Sequence, residues 1–266
     1  LDYLDLYRKF SYKTQESYKL DHIAQEELGK AKIKSPFATF KEFYTNDWQL
    51  FVEYNIVDVE LVDQLEDKMK LIELIMTMAY DAKCNYADIF SPVRTWDCIL
   101  YNALWDRKMI IQMVKPPEFD RPIIGAFVKE PKPGAYDWVV SFDATSLYPS
   151  IIMSLNMSPE TLVDGEKHMP DVEQSIQKLI DREANTEHLK EKNYSMAANG
   201  QCFRKDKKGI VPEMIEYYFA QRQIAKKQML ADQEMYEKTK DKKYLKNVSS
   251  LNSKQMAAKI LMNSLY

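Results

Sequence analysis

A short apolar run that ends in a single acidic residue constrains the fold of this chain most strongly. The segment that contains this run occupies 137–142, and it leads into Asp143 within the stretch SFDATSLYPS. Its centre, Trp138–Val140, consists of aromatic and β-branched residues, which are typical of a buried strand. We therefore predict a strand at 137–142 that projects the Asp143 carboxylate beyond the edge of a sheet.

The residues around Asp143 allow two interpretations. Hard cations such as Mg²⁺ prefer carboxylate oxygens and take only one or two of them from a protein, so Asp143 is a candidate metal ligand. Pro149 disfavours the α conformation at Tyr148, which predicts that the tyrosine is held extended. The simpler interpretation is that Asp143 starts a turn and that Ser146 caps the helix after it.

Chain length and cysteine content set broader limits. The 266 residues exceed the usual size of one domain, which predicts two or three modules. The three cysteines include no Cys-x-x-Cys pair, which argues against a disulfide framework or a thiolate zinc site and favours a cytoplasmic location. No stretch has the pattern of a membrane span or a signal peptide, so no membrane partner is expected. The first residue is Leu1 rather than methionine, and we expect the chain to begin inside a larger protein.

The charge distribution leaves a nucleic-acid partner open. The net charge of −3 gives no overall basic surface for such a partner. The positive charges are nevertheless concentrated in the last quarter of the chain, at 204–208, 226–227 and 238–246. Lysine runs of this kind usually mark solvated helix faces.

Hydrophobic spacing and turn residues predict a mixed α+β chain. A proline cluster at 115–134 marks an irregular crossing between two parts of the chain. A hairpin is predicted within 195–212, because Asn199-Gly200 suits a tight turn. A polar turn is predicted at 247–250. The predicted helices occupy 17–31, 47–80, 90–105, 212–240 and 251–266.

Two pairs of polar residues stand one turn apart on the last two predicted helices. Arg222 and Lys226 share one helix face, and Lys259 and Asn263 share another. Two neighbouring cations repel each other unless an anion lies between them, and a triphosphate supplies such charge. The plainer interpretation is a solvated basic face for the first pair and an ordinary amphipathic helix for the second.

Three motifs carry a resemblance to a known family. DATSLYPS, QRQIAKK and KILMNSLY resemble, in order and spacing, the conserved motifs of family B DNA polymerases. FSPVRTWD, GAFVKEPKP, MSPETL and NGQCFRKDKKGIVP are similar to segments of the T-even-type bacteriophage replicative polymerases in that family. The resemblance runs over nearly the whole chain.

The resemblance implies a site for DNA-directed DNA synthesis, in which two metal ions assist phosphoryl transfer from a dNTP to the primer 3′-hydroxyl. Asp143 resembles the first catalytic aspartate, and with the Ala144 carbonyl it would bind Mg²⁺, or Mn²⁺ in its place. Tyr148 resembles the steric gate that excludes a ribose 2′-hydroxyl. Lys259 resembles a catalytic lysine. The residues implied to bind the incoming nucleotide are Ser146, Leu147, Tyr148, Arg222, Lys226, Lys259 and Asn263.

Residues 54–58 resemble the third exonuclease motif of the same family. Tyr54 and Asp58 stand four positions apart, which puts the phenol and the carboxylate on one helix face. The resemblance implies that Asp58 binds a metal during 3′–5′ proofreading and that Tyr54 orients the attacking water. The alternative interpretation is the start of a surface helix.

The chain departs from the family pattern in several places. It lacks the Tyr-Gly-Asp-Thr-Asp motif with the second catalytic aspartate, and it lacks the first two exonuclease motifs. We therefore predict that the chain alone is inactive in both reactions. The insertion between Arg222 and Lys259 is shorter than in the T-even enzymes. Ile123 takes the usual place of a tyrosine that contacts the template, next to Gly125, which the resemblance assigns to DNA binding.

The resemblance divides the chain into four parts of an α+β polymerase fragment. Residues 1–70 would end an RNase H-like 3′–5′ exonuclease domain, and 71–114 would form an N-terminal-domain or connector segment. Residues 115–208 would begin a palm with an antiparallel sheet, and 209–266 would form helical fingers. The implied partners are primer–template DNA, dNTP, a C-terminal portion with the second aspartate, and a sliding clamp. The alternatives are the N-terminal half of a split polymerase and a non-catalytic DNA- or nucleotide-binding module.

Overall fold

The computed structural model describes residues 1–11, 13–110, 128, 130–167, 172–184 and 186–266. These residues form two compact units. The first unit contains 1–99 and 214–266, and the second unit contains 100–213. The secondary structure is mostly helical with one small antiparallel sheet, which confirms the predicted α+β class. The finer division into four polymerase parts stays a prediction.

Helices make up most of the described chain. No described helix combines the length and the apolar character that crossing a bilayer requires. Short 3₁₀ turns lie at Asp88–Phe90 and Pro159–Thr161. The strands are β1 (Leu162–Lys167), β2 (Tyr194–Met196) and β3 (Gln201–Arg204). The helices are α1 (Tyr3–Phe10), α2 (Leu20–Leu28), α3 (Phe40–Asn46), α4 (Trp48–Met69), α5 (Leu71–Ala82), α6 (Pro92–Asp106), α7 (Leu147–Leu155), α8 (Val172–Ile180), α9 (Glu187–Glu191), α10 (Ile210–Thr239) and α11 (Lys242–Asn263).

Several predicted helices are confirmed by the structure. α2 ends at Gly29, whose φ of 67° lies in the left-handed region that glycine adopts without strain. α6 begins at Pro92, where the missing N–H of proline removes no helical hydrogen bond. α10 begins at Ile210, slightly before the predicted start at Pro212.

The predicted helical segment over 47–80 is confirmed as helical, but it contains two helices, and the break between them was not predicted. Asp47 caps α4, since its carboxylate accepts a hydrogen bond from the Leu50 backbone N–H. Lys70 then adopts a φ of 54°, which ends α4, and α5 starts at Leu71. The sequence at this point contains neither glycine nor proline, so the pattern gave no signal for the break.

The predicted polar turn at 247–250 was also wrong. α11 is continuous through this segment, and the Ser253 hydroxyl donates a hydrogen bond to the Ser249 carbonyl inside the helix. The chain reverses earlier, where Lys240 adopts a φ of 57° and the Asp241 carboxylate accepts from the Lys243 backbone N–H. A serine hydroxyl can donate a hydrogen bond to a backbone carbonyl one turn earlier in the same helix. A cluster of serines therefore does not by itself end a helix.

The core of the first unit forms where α5 packs against α11. Ile75 of α5 and Ala257 and Leu261 of α11 are fully buried. Burying a large apolar side chain such as Ile75 or Leu261 stabilises a fold by about 1.5–3 kcal/mol relative to leaving it exposed. This packing fixes the position of α11, the helix that carries Lys259.

The sheet of the second unit contains a hairpin that the sequence predicted. β2 pairs antiparallel with β3, with Met196 opposite Cys202. The turn passes through Gly200, which has a φ of 81°, so the predicted turn at Asn199-Gly200 is confirmed. β1 was not predicted, and it completes the strand order β1-β3-β2 by pairing with β3.

The predicted strand at 137–142 is absent, and this prediction was wrong. The segment is irregular, Trp138 has a φ of 60°, and the Trp138 and Phe142 side chains are 98% and 91% exposed. A strand needs a partner for its backbone N–H and C=O groups, and none of the described residues pairs with this segment. Asp143 therefore follows an irregular apolar segment and not a buried strand.

Candidate functional site

Asp143 and Ala144 lie on the surface of the second unit, just before α7. Ser146 precedes the helix with a φ of 50°, and its side chain makes no capping hydrogen bond. Its backbone carbonyl instead accepts from the Ser150 N–H at 2.9 Å. The interpretation of Ser146 as a side-chain helix cap is therefore wrong, while the exposed Asp143 carboxylate remains a candidate ligand.

Tyr148 lies inside α7, so the prediction of an extended tyrosine was wrong. Pro149 falls in the first turn of the helix, where an N–H has no intrahelical partner and proline is tolerated. Pro149 is buried, whereas Leu147 and Tyr148 are each 50% exposed. Leu147 and Tyr148, the two candidate nucleotide-binding residues of this helix, are therefore both partly exposed to solvent.

Asn156 fixes the far end of α7, and sequence reasoning did not identify it. Its side-chain nitrogen donates to the Arg204 and Lys207 carbonyls at 2.6 and 2.8 Å. Its side-chain oxygen accepts from the Gly209 N–H at 2.9 Å. One buried amide therefore joins the helix after Asp143 to the hairpin and to the residues that lead into α10. The sequence signal that could have identified Asn156 is its place directly after a helical stretch, because asparagine often occupies the position that ends a helix.

Glu160 holds the start of α10. Its carboxylate accepts hydrogen bonds from the Ile210 N–H at 2.5 Å and from the Ser158 hydroxyl at 2.6 Å. Burial alone would raise the pKa of Glu160, but the bonds from Ser158 and Ile210 outweigh it and lower that pKa below its ordinary value. A carboxylate at a helix N-terminus also interacts favourably with the helix dipole.

Arg222 and Lys226 lie on α10 in the first unit. Ile215, Tyr218 and Ala225 form the buried face of this helix. Arg222 is half-buried beside that face, and its Nε is buried without a hydrogen-bond partner among the described residues. A buried donor left in this state costs about 1–3 kcal/mol, so an anion that accepts from it would be stabilised. Lys226 is exposed.

Lys259 and Asn263 lie on α11 of the same unit. Lys259 is half-buried, and Asn263 is exposed with its side-chain oxygen accepting from the Tyr266 hydroxyl at 3.0 Å. The structure thus places both basic helices in one unit. Asp143 belongs to the second unit.

Tyr54 and Asp58 both face Lys32, a residue that sequence reasoning missed. The Lys32 ammonium lies 2.6 Å from the Asp58 carboxylate and 4.9 Å from the centre of the Tyr54 ring. Burial lowers the pKa of Lys32, but hydrogen bonds to Asp58 and Tyr54 act more strongly and raise it above the ordinary value. Phe43 packs edge-on against Tyr54, with ring centres 5.7 Å apart. The predicted shared face of Tyr54 and Asp58 is therefore present, although their catalytic roles stay a prediction.

The predicted metal-binding and DNA-binding residues stay predictions. In the described part of the chain, no three acidic, histidine or cysteine side chains gather closely enough to hold a metal ion. Asp143 has the donor type that Mg²⁺ prefers, so it stays a candidate ligand. Ile123 and Gly125 lie outside the described residues.

The sequence profile of DNA polymerase family B matches residues 92–266. This match includes Asp143, α7 and both basic helices. The chain therefore belongs to DNA polymerase family B, as the motifs indicated.

Similar proteins include two from T-even-type phages. The chain is 40% identical to the DNA-directed DNA polymerase of Escherichia phage RB69, over 94% of this chain and 26% of that protein. It is 38% identical to the DNA-directed DNA polymerase of Enterobacteria phage T4, over 96% of this chain and 27% of that protein. A DNA polymerase of Paramecium bursaria Chlorella virus NY2A is 30% identical over 100% of the chain and 28% of its own length. The chain thus spans about a quarter of these relatives, and the predicted resemblance to T-even-type polymerases is confirmed.

Proposed function

We propose that this chain is part of a DNA-directed DNA polymerase that extends a primer with deoxynucleotides. The observation that carries the proposal is the family B match over 92–266. This match covers the exposed Asp143, the candidate nucleotide-binding residues of α7 and the basic helices α10 and α11. The partners are primer–template DNA, a dNTP and a C-terminal portion with a second catalytic aspartate. We also propose that a sliding clamp is a partner of this polymerase and that the polymerase acts in the cytoplasm of an infected cell.

The proposed site assigns each side chain a task that suits its chemistry. The Asp143 carboxylate and the Ala144 carbonyl would hold a divalent ion, whose charge lowers the barrier to phosphoryl transfer when it is bound. Tyr148 would fill the space beside the sugar and so exclude a 2′-hydroxyl. Arg222 and Lys259 would neutralise the triphosphate, with Ser146, Leu147, Lys226 and Asn263 beside them.

Arg222 provides the best physical support for an anion on α10. Its buried Nε lacks a hydrogen-bond partner among the described residues, and a guanidinium is a planar, charged donor group. Phosphate oxygens accept such hydrogen bonds in a fixed planar geometry. A triphosphate would satisfy this donor and contribute binding energy through it.

A proofreading function is the second part of the proposal. Asp58 and Tyr54 lie on one face of α4, as the exonuclease reaction requires of this motif. The other acidic residues of such a site would come from segments beyond this chain. For the same reason we propose that the chain alone is inactive in both synthesis and proofreading.

The test uses the completed polymerase, in which this chain is joined to the remaining portions of a family B polymerase. Asp143→Asn should lower the rate of primer extension at least about a hundredfold, because it removes a charge from the reacting centre. Asp137→Asn is the matched control, since this exposed carboxylate lies in the same segment and should leave the rate unchanged. Full extension by the Asp143 variant would contradict the proposed role of Asp143. Extension by the 266-residue chain alone would contradict the proposed inactivity of the isolated chain.

A non-catalytic DNA- or nucleotide-binding module is the second candidate. It is favoured by the buried Arg222 Nε, which lacks a hydrogen-bond partner among the described residues and could hold an anion without any metal-assisted chemistry. The same experiment separates the two functions. A completed protein that binds primer–template and dNTP but never extends the primer would support the binding module.

A further inference from the structure

Trp96 of α6 is buried against the last turn of α11. Only 4% of the residue is exposed, and its indole nitrogen donates to the Leu261 carbonyl at 3.0 Å. The same nitrogen lies 3.1 Å from the Ser264 hydroxyl oxygen, and that hydroxyl donates to the Leu261 carbonyl at 2.8 Å. The last carbonyls of a helix have no intrahelical partner, so Trp96 and Ser264 satisfy one that would otherwise be buried and unpaired.

The Trp96 ring also contacts α10. Its partner there is Tyr218, which packs edge-on with ring centres 6.4 Å apart. Tyr218 is itself buried and donates from its hydroxyl to the Asp81 carbonyl at 3.4 Å. Burial raises the pKa of Tyr218, so the phenol stays protonated as this donor. One indole therefore touches both basic helices at positions that are fixed by further hydrogen bonds.

These two contacts lie next to the proposed phosphate-binding residues. Tyr218 stands one turn before Arg222 on α10, and Leu261 lies in the same turn as Lys259 on α11. Long basic side chains are flexible, so the direction of their charges depends on how firmly the helix backbones are held. The last turn of a helix is also where a helix loosens most easily.

We propose that Trp96 is a positioning residue, which holds α10 and α11 in the register that lets Arg222 and Lys259 bind the same triphosphate. The inference deepens the proposed function and rests on it. Trp96 touches neither the nucleotide nor the metal in this role. The indole N–H holds the end of α11 and the ring contacts α10 through Tyr218, so Trp96→Phe removes the first contact and keeps an aromatic ring for the second.

The test compares Trp96→Phe with the unchanged completed polymerase. Phenylalanine keeps a packed ring but removes the donor, so the Leu261 carbonyl loses one hydrogen bond. We expect the Kd of a dNTP, measured in a ternary complex on a primer that cannot be extended, to rise about two- to tenfold. The Kd of primer–template should stay unchanged. Trp105→Phe is the matched control on the same helix, since Trp105 is 67% exposed, and it should change neither value.

Two further variants separate positioning from plain stability. Ser264→Ala removes the other bond to the Leu261 carbonyl, and it should raise the dNTP Kd in the same direction even if Trp96→Phe folds poorly. In a Lys259→Ala background, Trp96→Phe should raise the dNTP Kd less than twofold, because the cation that it positions is gone. A lowered melting temperature with an unchanged dNTP Kd would overturn the inference, as would an equal effect with and without Lys259.

Failure of the inference and failure of the proposed function give different results. If the chain is not part of a polymerase, the unchanged completed protein does not extend primers, whether or not it binds dNTP. If only the inference is wrong, the unchanged protein extends primers and binds dNTP, Lys259→Ala weakens dNTP binding, and Trp96→Phe and Ser264→Ala leave it unaltered.

Discussion

The Lys32 ammonium lies 2.6 Å from the Asp58 carboxylate, and both side chains are largely shielded from water. One oxygen of Asp58 is buried without any hydrogen-bond partner among the described residues. Lys32 is therefore the principal compensation for a negative charge that burial alone would penalise. The pair also holds Asp58 on the face of α4 that Tyr54 shares.

Replacing Lys32 should destabilise the fold around Asp58. Lys32→Met leaves the carboxylate without its cation, and we expect the free energy of unfolding to fall by about 1–3 kcal/mol at pH 7. Lys34→Met, at a nearby exposed lysine, is the control and should have little effect. Urea denaturation checks both variants. If the double variant Lys32→Met/Asp58→Asn is as unstable as Lys32→Met, the ion pair is not the cause.

Glu27 provides a prediction about pH dependence. Its carboxylate lies 2.9 Å from the Lys68 ammonium and accepts from the Tyr7 hydroxyl at 3.2 Å. The hydrogen bond from Lys68 is the largest influence, and it lowers the pKa of Glu27 despite an opposing effect of burial. A lowered folded-state pKa gives stability that is present above the unfolded-state pKa and is lost as the pH falls through the folded-state pKa.

Glu27→Gln should therefore destabilise the chain near neutral pH and have little effect in acid. We expect a loss of about 1–3 kcal/mol at pH 7 that shrinks as the pH falls below about 4. Urea denaturation at a series of pH values measures the difference. Glu26→Gln is the exposed control on the same helix and should show no such pH dependence. A constant difference from pH 7 to pH 3 would rule out a charge-based effect.

Asn156 should be critical for the packing of the second unit. Asn156→Ala leaves the Gly209 N–H and the Arg204 and Lys207 carbonyls without their side-chain partner. We expect the free energy of unfolding to fall by about 1–3 kcal/mol. Asn193→Ala is a close control, because Asn193 has a similar φ of 54° and is exposed, so it isolates the hydrogen bonds from the backbone strain. Equal losses in thermal or urea denaturation would contradict this account.

Tyr148 should control the choice of sugar in the completed polymerase. Tyr148→Ala removes the ring that would meet a 2′-hydroxyl, so incorporation of ribonucleotides relative to deoxynucleotides should rise at least about tenfold. Tyr148→Phe keeps the ring and should keep the discrimination. Single-nucleotide extension with matched ribo- and deoxynucleotides measures the ratio. An unchanged ratio in Tyr148→Ala would remove Tyr148 from this role.

The sequence predicted those helices whose start or end signals are local. Gly29 ends α2 and Pro92 starts α6, and each acts through its own backbone conformation. Lys70 ends α4 without such a residue, so its break depends on tertiary packing and was missed. The strand at 137–142 failed for a related reason, since a strand exists only when another segment pairs with it.

The candidate site was predictable in its residue types but not in its supporting contacts. Asp143, Arg222 and Lys259 stand in recognisable motifs, and the family match covers them. Lys32 lies in a lysine-rich segment that looks solvated, and only the fold brings it to Asp58. Trp96 and Leu261 are far apart in sequence, so no local pattern could have joined them.

The central claim is that Asp143, Arg222 and Lys259 bind one incoming deoxynucleotide. A crystal structure of the completed polymerase with primer–template and a dNTP tests it most directly. The account predicts that the Asp143 carboxylate shares a metal ion with the triphosphate and that Arg222 and Lys259 donate hydrogen bonds to the same phosphates. A nucleotide bound away from Asp143, or one whose phosphates contact neither Arg222 nor Lys259, would contradict it.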